Sequence, residues 1–248
     1  MDPKAPAGKA PSTENGLPSL KLTDAVTRTQ VIQAVLDLFD HPRYLEVGVQ
    51  KGKTFNSVNA AVKVAVDPNF RFDFQNITEK DVFFYESTSD EFFGKLVAKH
   101  EQFDVIYLDG MHTSEQTIRD LLNALVYLAP KGVIVIDDVF PSSYIASLAD
   151  INEFMKMHKA SGEKSGAWMG DVYRLVFFVE TFCQQLSYGT VNNNHGQLVL
   201  WREPREEVPQ RTLNKVAQKA YKDVYLEKNV FRFAPLHEIL QRAEIGRR

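Results

Sequence analysis

Short, nearly continuous apolar runs alternate along this chain with segments whose apolar residues recur at helical spacing. In "LTDAVTRTQVIQAVLDLFD" the residues Val26, Val31, Ile32, Val35, Leu36 and Leu38 fall on a helical period. Asp40-His41-Pro42 ends that segment, because the residue before a proline leaves the helical region. "RYLEVGV" then predicts a buried strand, and "KTFNSVNAAV" a helix after a tight glycine turn. "VKVAVDP" and "DVFFYEST" predict a second and a third strand, and "SDEFFGKLVAKH" a helix capped by Ser89 or Asp90. "FDVIYLDG" and "GVIVIDDV" predict a fourth and a fifth strand. The helix "SEQTIRDLLNALVYLA" lies between them and is stopped by Pro130-Lys131-Gly132. Continuous apolar strands require a sheet covered on both faces. Strands that alternate with helices predict a doubly wound, Rossmann-like α/β domain with a mostly parallel sheet.

Beyond Pro141 the pattern predicts a helix over roughly 147–158, a Gly-rich loop "ASGEKSGAWMGD", and two strands, "VYRLVFFVE" and "GQLVLWR". Helical segments "TLNKVAQKAYKDVYLEKN" and "LHEILQRAEIGRR" follow, with Arg242, Arg247 and Arg248 read as a solvated basic end. The expected organisation is a flexible tail over 1–20, a central domain over 21–203 and a C-terminal helical appendage over 204–248. The tail "MDPKAPAGKAPSTENGLPS" has too little apolar surface to offset its chain entropy, and it has no apolar stretch typical of a secretory signal.

Composition narrows the function classes. The chain has 248 residues, 44% of them hydrophobic and 25% charged, as in ordinary globular proteins. A net charge of -3 provides no global field to recruit nucleic acid or an anionic membrane. No apolar run is long enough to span a bilayer as a helix. The single cysteine, Cys183, excludes an intramolecular disulfide and a cysteine-rich zinc site, and favours a reducing, cytoplasmic setting.

"YLEVGVQKGKT" ends like a phosphate loop, but only three residues separate Gly48 from Gly52. A Walker loop needs four, since its N–H groups must converge on phosphate. The dinucleotide fingerprint also fails, because Gln50 stands where its second glycine belongs. What remains is E-x-G-x-x-x-G, formed by Glu46, Gly48 and Gly52. It resembles motif I of the class I S-adenosylmethionine (SAM)-dependent methyltransferases. An acid follows at the end of the next strand, Asp67 in "VAVDP", where ribose hydroxyls are expected. The resemblance implies a SAM site built from Glu46, Gly48, Val49, Gly52, Asp67, Pro68, Thr88, Ser89 and Asp109.

Asp109 ends the fourth strand, and Asp137-Asp138 ends the fifth. In an open α/β sheet the ligand crevice lies beyond these strand ends, so the acids should meet there. Adjacent carboxylates repel unless a cation lies between them, and oxygen donors suit a hard divalent ion such as Mg²⁺. His112, three residues after Asp109, could take a proton from a hydroxyl, since imidazole titrates near neutrality. The D-G-x-H and D-D pattern over 44–141 resembles the metal-dependent O-methyltransferases that modify sugars in macrolide and aminocoumarin pathways. That resemblance implies Asp109, Asp137 and Asp138 as Mg²⁺ ligands and His112 as base, with Asp109 assisting in catalysis. The implied acceptor is a small hydroxylated molecule such as a sugar, or a polysaccharide. Asp137-Asp138 as a simple turn cap, and His112 as an idle loop residue, stay open as alternatives. Trp168 could stack on a ring and Asp171 could accept from a hydroxyl, but a packed turn explains both more simply. His195 is given no role. A metal-independent enzyme of the same fold and a noncatalytic SAM-fold interaction module are the competing readings, and a homodimer is compatible with the helical C-terminus.

Overall fold

The computed structural model describes residues 25–164 and 166–246. The expected tail over 1–20, together with Arg247 and Arg248, lies outside them. The elements are α1 (Arg28–Leu36), β1 (Arg43–Val47), β2 (Val62–Asp67), β3 (Val82–Glu86), α2 (Ser89–Glu91), β4 (Phe103–Leu108), α3 (Ser114–Tyr127), β5 (Leu128–Ile136), α4 (Ile151–Ser161), α5 (Tyr173–Phe182), β6 (Leu186–Val191), β7 (Leu198–Arg202), α6 (Leu213–Ala217), α7 (Tyr221–Leu226), β8 (Phe233–Ala234) and α8 (Leu236–Gly246). The strands lie in the order β3-β2-β1-β4-β5-β7-β6-β8 in one sheet. The first five are parallel, and β7 runs antiparallel to both β5 and β6. The α/β, doubly wound, mostly parallel sheet expected from the sequence is therefore present. Its strand order reverses between β1 and β4, and there a crevice opens at the carboxyl ends.

Side chains alternate between two apolar layers. Leu45, Val47, Ile106, Leu108, Ile134 and Ile136 face a layer with α3 and α5, in which Leu121, Ala124, Val176 and Phe177 are buried. Tyr44, Val105, Tyr107, Val133 and Val135 face the opposite layer, with Val31, Ile32 and Val35 of α1 and Ile239 of α8. The C-terminal segment packs on the domain, since β8 pairs with β6 and α8 lies against β6 and β7.

Three local expectations are corrected. "KTFNSVNAAV" forms no α-helix, only one 3-10 turn over Phe55–Ser57. Ser57 bonds back to the Lys53 carbonyl at 2.7 Å, and Asn and Ser favour such local bonds over helix continuation. The sheet face beside that turn is covered instead by aromatic packing, with Phe84 within ring contact of Phe55, Phe70, Phe72 and Phe74. "SDEFFGKLVAKH" shortens to α2 and one π-helical turn, Phe92–Leu96. "VYRLVFFVE" is α5 rather than a strand. It is apolar on most sides because α3, α6 and the sheet all bury it, and an apolar run of that kind carries no period to tell helix from strand. The strand that pairs with β7 is β6, in "LSYGTV", which the turn-like Ser187 and Gly189 disguised.

Cys183 is the C-cap of α5, and burial pushes its thiol up to about 11. Only about one thiol in a thousand would then be ionised at pH 8, and the thiolate is the nucleophile. Native protein is expected to resist iodoacetamide at pH 8 and to alkylate readily in urea. Intact mass before and after denaturation reads the difference.

Candidate active site

The parallel register fixes the site's frame. Val47, Leu108 and Ile136 are paired neighbours on β1, β4 and β5. Ladder bonds continue one residue further, from Gly48 N to Val66 O at 2.9 Å, Asp109 N to Val47 O at 2.8 Å and Asp137 N to Leu108 O at 3.0 Å. Each strand thus delivers its terminal residue to the same rim. Gly48 has φ +90°, and a Cβ there would lie 2.0 Å from the Asp109 carbonyl oxygen. Only glycine lets the loop after β1 pass this close to β4.

A cavity of about 830 Å³ opens on this rim. Among its walls are Glu46, Gly48, Val49, Asp67, Pro68, Thr88, Ser89, Asp109, His112 and Asp138, so ten of the expected site residues share one space. Gly52 and Asp137 do not line it. Gly52 N bonds to Val49 O at 2.8 Å and closes the turn behind the wall. Lys53 and Thr54 lead into the 3-10 turn and also line the cavity. Asp67 accepts from Gln50 N and from Asn69 N, both at 2.8 Å, so its carboxylate is held in place facing the cavity. Thr88 caps α2 through its hydroxyl, 3.2 Å from Glu91 N. Ser89 is 3.3 Å from Gln116 Nε2, which also reaches the buried Asp120 at 3.0 Å.

Glu46 is buried and accepts from Tyr44 Oη at 2.6 Å. Burial pushes its carboxyl up to about 8, against the opposing pull of the Tyr44 bond and of the Lys63 and Arg28 charges. The three aspartates meet as the sequence suggested, and each has a definite partner. His112 Nδ1 lies 2.6 Å from Asp138 Oδ2, and His195 Nε2 lies 2.6 Å from Asp137 Oδ1. Tyr107 Oη is 2.9 Å from Asp137 Oδ2 and 3.2 Å from Asp109 Oδ2. The Arg28 guanidinium spans the same two acids, 3.2 Å from Asp109 Oδ2 and in close contact with Asp137 Oδ2. Burial and the Asp137 charge drive the Asp109 and Asp138 carboxyls upward. Asp137 resists burial and falls below the usual carboxylate range, because His195 bonds to it and Arg28 faces it. His195 rises correspondingly, its bond to Asp137 outweighing its own desolvation. Asp138 also sits at φ +59°. That backbone costs a non-glycine residue about 1–3 kcal/mol and points to a functional constraint.

Two sets of donors converge enough to hold a metal ion. Asp109, His112 and Asp138 form one, and Asp137, Asp138 and His195 the other, each with its ligand atoms within 4.8 Å of one another. The first lines the cavity. In the second, both Asp137 oxygens are already engaged by His195, Tyr107 and Arg28.

The segment 168–171 braces His112. Trp168 lines the cavity, bonds to Leu148 O at 2.6 Å, and sets its ring 5.1 Å from the His112 ring. Asp171 accepts from Ser114 N at 2.6 Å and Ser114 Oγ at 3.1 Å, which commits it to the start of α3. Gly170 has φ +62°, and a Cβ there would fall 1.6 Å from the His112 carbonyl oxygen. Arg28, His195, Tyr107 and Tyr44 were not foreseen. Nothing in their own sequence surroundings marks them; they reach the acids from α1, from the hairpin between β6 and β7, and from the inner sheet face.

Residues 45–139 match the family described as a methyltransferase domain. A Staphylococcus aureus structure assigned as a caffeoyl-CoA O-methyltransferase is similar at 14% identity and a TM-score of 0.50, over 71% of this chain and 84% of that one. The MycE methyltransferase of the mycinamycin biosynthetic pathway, solved with Mg, SAH and mycinamycin VI, is similar at 14% identity and a TM-score of 0.46, over 73% of this chain and 50% of that one. An O-methyltransferase from Bacillus cereus with bound SAH gives 14% identity and a TM-score of 0.44, over 72% and 82%. No curated protein sequence matches significantly. Residues 45–139 thus match a methyltransferase domain, which supports an enzyme, and the chain shares the fold of the Staphylococcus aureus structure. Among the described residues no helix is long and apolar enough to cross a membrane.

Two outcomes follow from the site's geometry. Gly170→Ala should displace the His112 loop and lower methyl transfer about 100-fold, the scale of a 1 Å misplacement. Circular dichroism melting should show that the protein still folds. For Glu46, the folded state keeps a proton that the unfolded chain releases between about pH 4.5 and about 8. This group's contribution to stability therefore falls as pH rises through that window. Glu46→Gln, a neutral mimic of the protonated acid, should gain stability relative to wild type from pH 5 to pH 8 in urea titrations.

Proposed function

We propose that the chain transfers the methyl group of SAM to an oxygen of a small hydroxylated acceptor, with a sugar hydroxyl the favoured class. The observation that carries this reading is one cavity holding both halves of the chemistry. Glu46, Gly48, Val49, Asp67, Pro68, Thr88 and Ser89 line it together with Asp109, Asp138 and His112. Glu46 is suited to the amino group of the donor's methionine part and Asp67 to its ribose hydroxyls. Gly48 and Val49 allow close backbone approach, while Thr88 and Ser89 flank the adenine end.

His112 serves as general base. Its Nδ1–H donates to Asp138, which leaves Nε2 with the free lone pair that takes the acceptor's hydroxyl proton. The acceptor oxygen bonds to the methyl carbon, the donor's C–S bond breaks, and SAH leaves as the thioether. Trp168 offers an apolar ring beside His112, a surface that suits the C–H face of a sugar. Asp109 and Asp138 would hold a divalent cation such as Mg²⁺, which commonly takes one or two carboxylates and keeps its waters. When bound, such an ion supplies charge stabilisation for a developing alkoxide. Asp137, whose oxygens are engaged, orients this cluster rather than facing the acceptor. A metal-independent enzyme is the second reading, favoured by the Arg28 guanidinium already neutralising Asp109 and Asp137.

Calorimetry with SAM and ATP on the full chain is the first test, and SAM binding with no ATP binding is expected. Asp138→Asn should leave SAM affinity within about threefold while methyl transfer to a panel of sugars and polyols falls at least about 100-fold, the usual range for a lost base. Failure to bind SAM would overturn the reading. SAM binding without turnover on any acceptor would favour an interaction module. Full activity after exhaustive chelation would select the metal-independent route.

A further inference from the structure

We propose that Arg28 is a latch on the acid crevice: a cation of the chain itself, it sets the divalent-ion affinity by competing for Asp109. The proposal rests on the reading of Asp109 and Asp138 as ion ligands.

Arg28 is the first residue of α1, a position that helices disfavour for a cation because the macrodipole is positive there. No acid in that first turn compensates it. The helix start does not need it either, because Thr27 and Gln30 close a capping box by themselves. What holds Arg28 in place is tertiary. Its guanidinium lies between the ends of β4 and β5, bridging Asp109 Oδ2 and Asp137 Oδ2. Local preference is overridden here in favour of a contact at the site, which is the pattern expected of a functional residue.

The latch is not fully satisfied. Among the described residues Arg28 Nε is buried without a hydrogen-bond partner, although buried guanidinium groups ordinarily use their donors. The side chain is 38% exposed and lines the cavity, so it has a way out. The two acids it bridges differ. Asp137 has His195 and Tyr107 as further partners and stays neutralised if Arg28 leaves. Among the described residues Asp109 retains only the longer Tyr107 contact, 3.2 Å, and it alone of the pair converges with His112 and Asp138 as a metal-ligand set on the cavity. A divalent ion at that set and a guanidinium on Asp109 are like charges sharing one carboxylate. Each therefore weakens the other. Arg28 on Asp109 keeps the crevice stable while no ion is bound, and its departure frees the oxygen for the ion.

Manganese is the probe, with affinity read by electron paramagnetic resonance of free Mn²⁺ and by calorimetry, so that no turnover is needed. Arg28→Gln should bind Mn²⁺ at least about tenfold tighter than wild type, and Asp138→Asn placed in that background should abolish the gain. Arg28→Lys keeps the charge and should stay within about threefold of wild type. Equal or weaker Mn²⁺ binding by Arg28→Gln would overturn the proposal, as would an Arg28→Lys protein binding as tightly as Arg28→Gln. SAM calorimetry on the same samples separates the failures. Retained SAM binding with unaltered Mn²⁺ affinity rejects the latch alone, whereas loss of SAM binding in wild type rejects the functional reading beneath it. Should Arg28→Gln fail to fold by circular dichroism, Arg28→Met provides the neutral variant, with the same criterion.

Discussion

Three carboxylates packed at the ends of two adjacent strands cannot coexist in a buried rim without compensating charge and hydrogen-bond donors. Asp109, Asp137 and Asp138 are all largely buried, and mutual repulsion adds to the cost of burial. The structure distributes the compensation over four elements. α1 contributes Arg28, the loop after β4 contributes His112, β4 itself contributes Tyr107, and the β6–β7 hairpin contributes His195. Elements far apart in sequence are thereby tied to one point. The position of α1 on the sheet and the closure of the antiparallel hairpin on β5 both depend on that point as well as on apolar packing.

The parallel sheet makes the concentration of acid unavoidable. With Val47, Leu108 and Ile136 in register, the residues that follow must emerge together. Gly48 gives way so that Asp109 can come close, and Asp138 adopts a left-handed backbone that turns its carboxylate back toward His112. Strain and charge accumulate where the ligand space opens, while the rest of the sheet is ordinary alternating apolar packing. The cavity inherits a division of labour. One wall, from β1 to β3, is shaped by a tight glycine turn and a fixed Asp67. The other, from β4 and β5, is shaped by compensated acids and a histidine braced by Trp168 and Gly170.

Periodicity revealed the five parallel strands and the helices α1, α3 and α8, because each buries a face whose period is written locally. It failed over Lys53–Val62 and over α5. Aromatic side chains from several segments replaced a covering helix at the first, and burial on nearly every side erased the helical period at the second. The acids and His112 were legible because they fall at strand ends in a topology that directs strand ends to one crevice.

The sequence by itself determined the five parallel strands, their crevice, the glycine turn and the presence of Asp109, His112, Asp137 and Asp138 at the mouth. These follow from local spacing and from the rules that govern parallel strands. Tertiary structure alone decided how the four are partnered. It engaged both oxygens of Asp137, joined Asp138 to His112 and placed Arg28 across Asp109. A charge is felt through space and not along the chain, so the partners of a buried acid become known only when residues 28, 107 and 195 are brought to the same few ångströms.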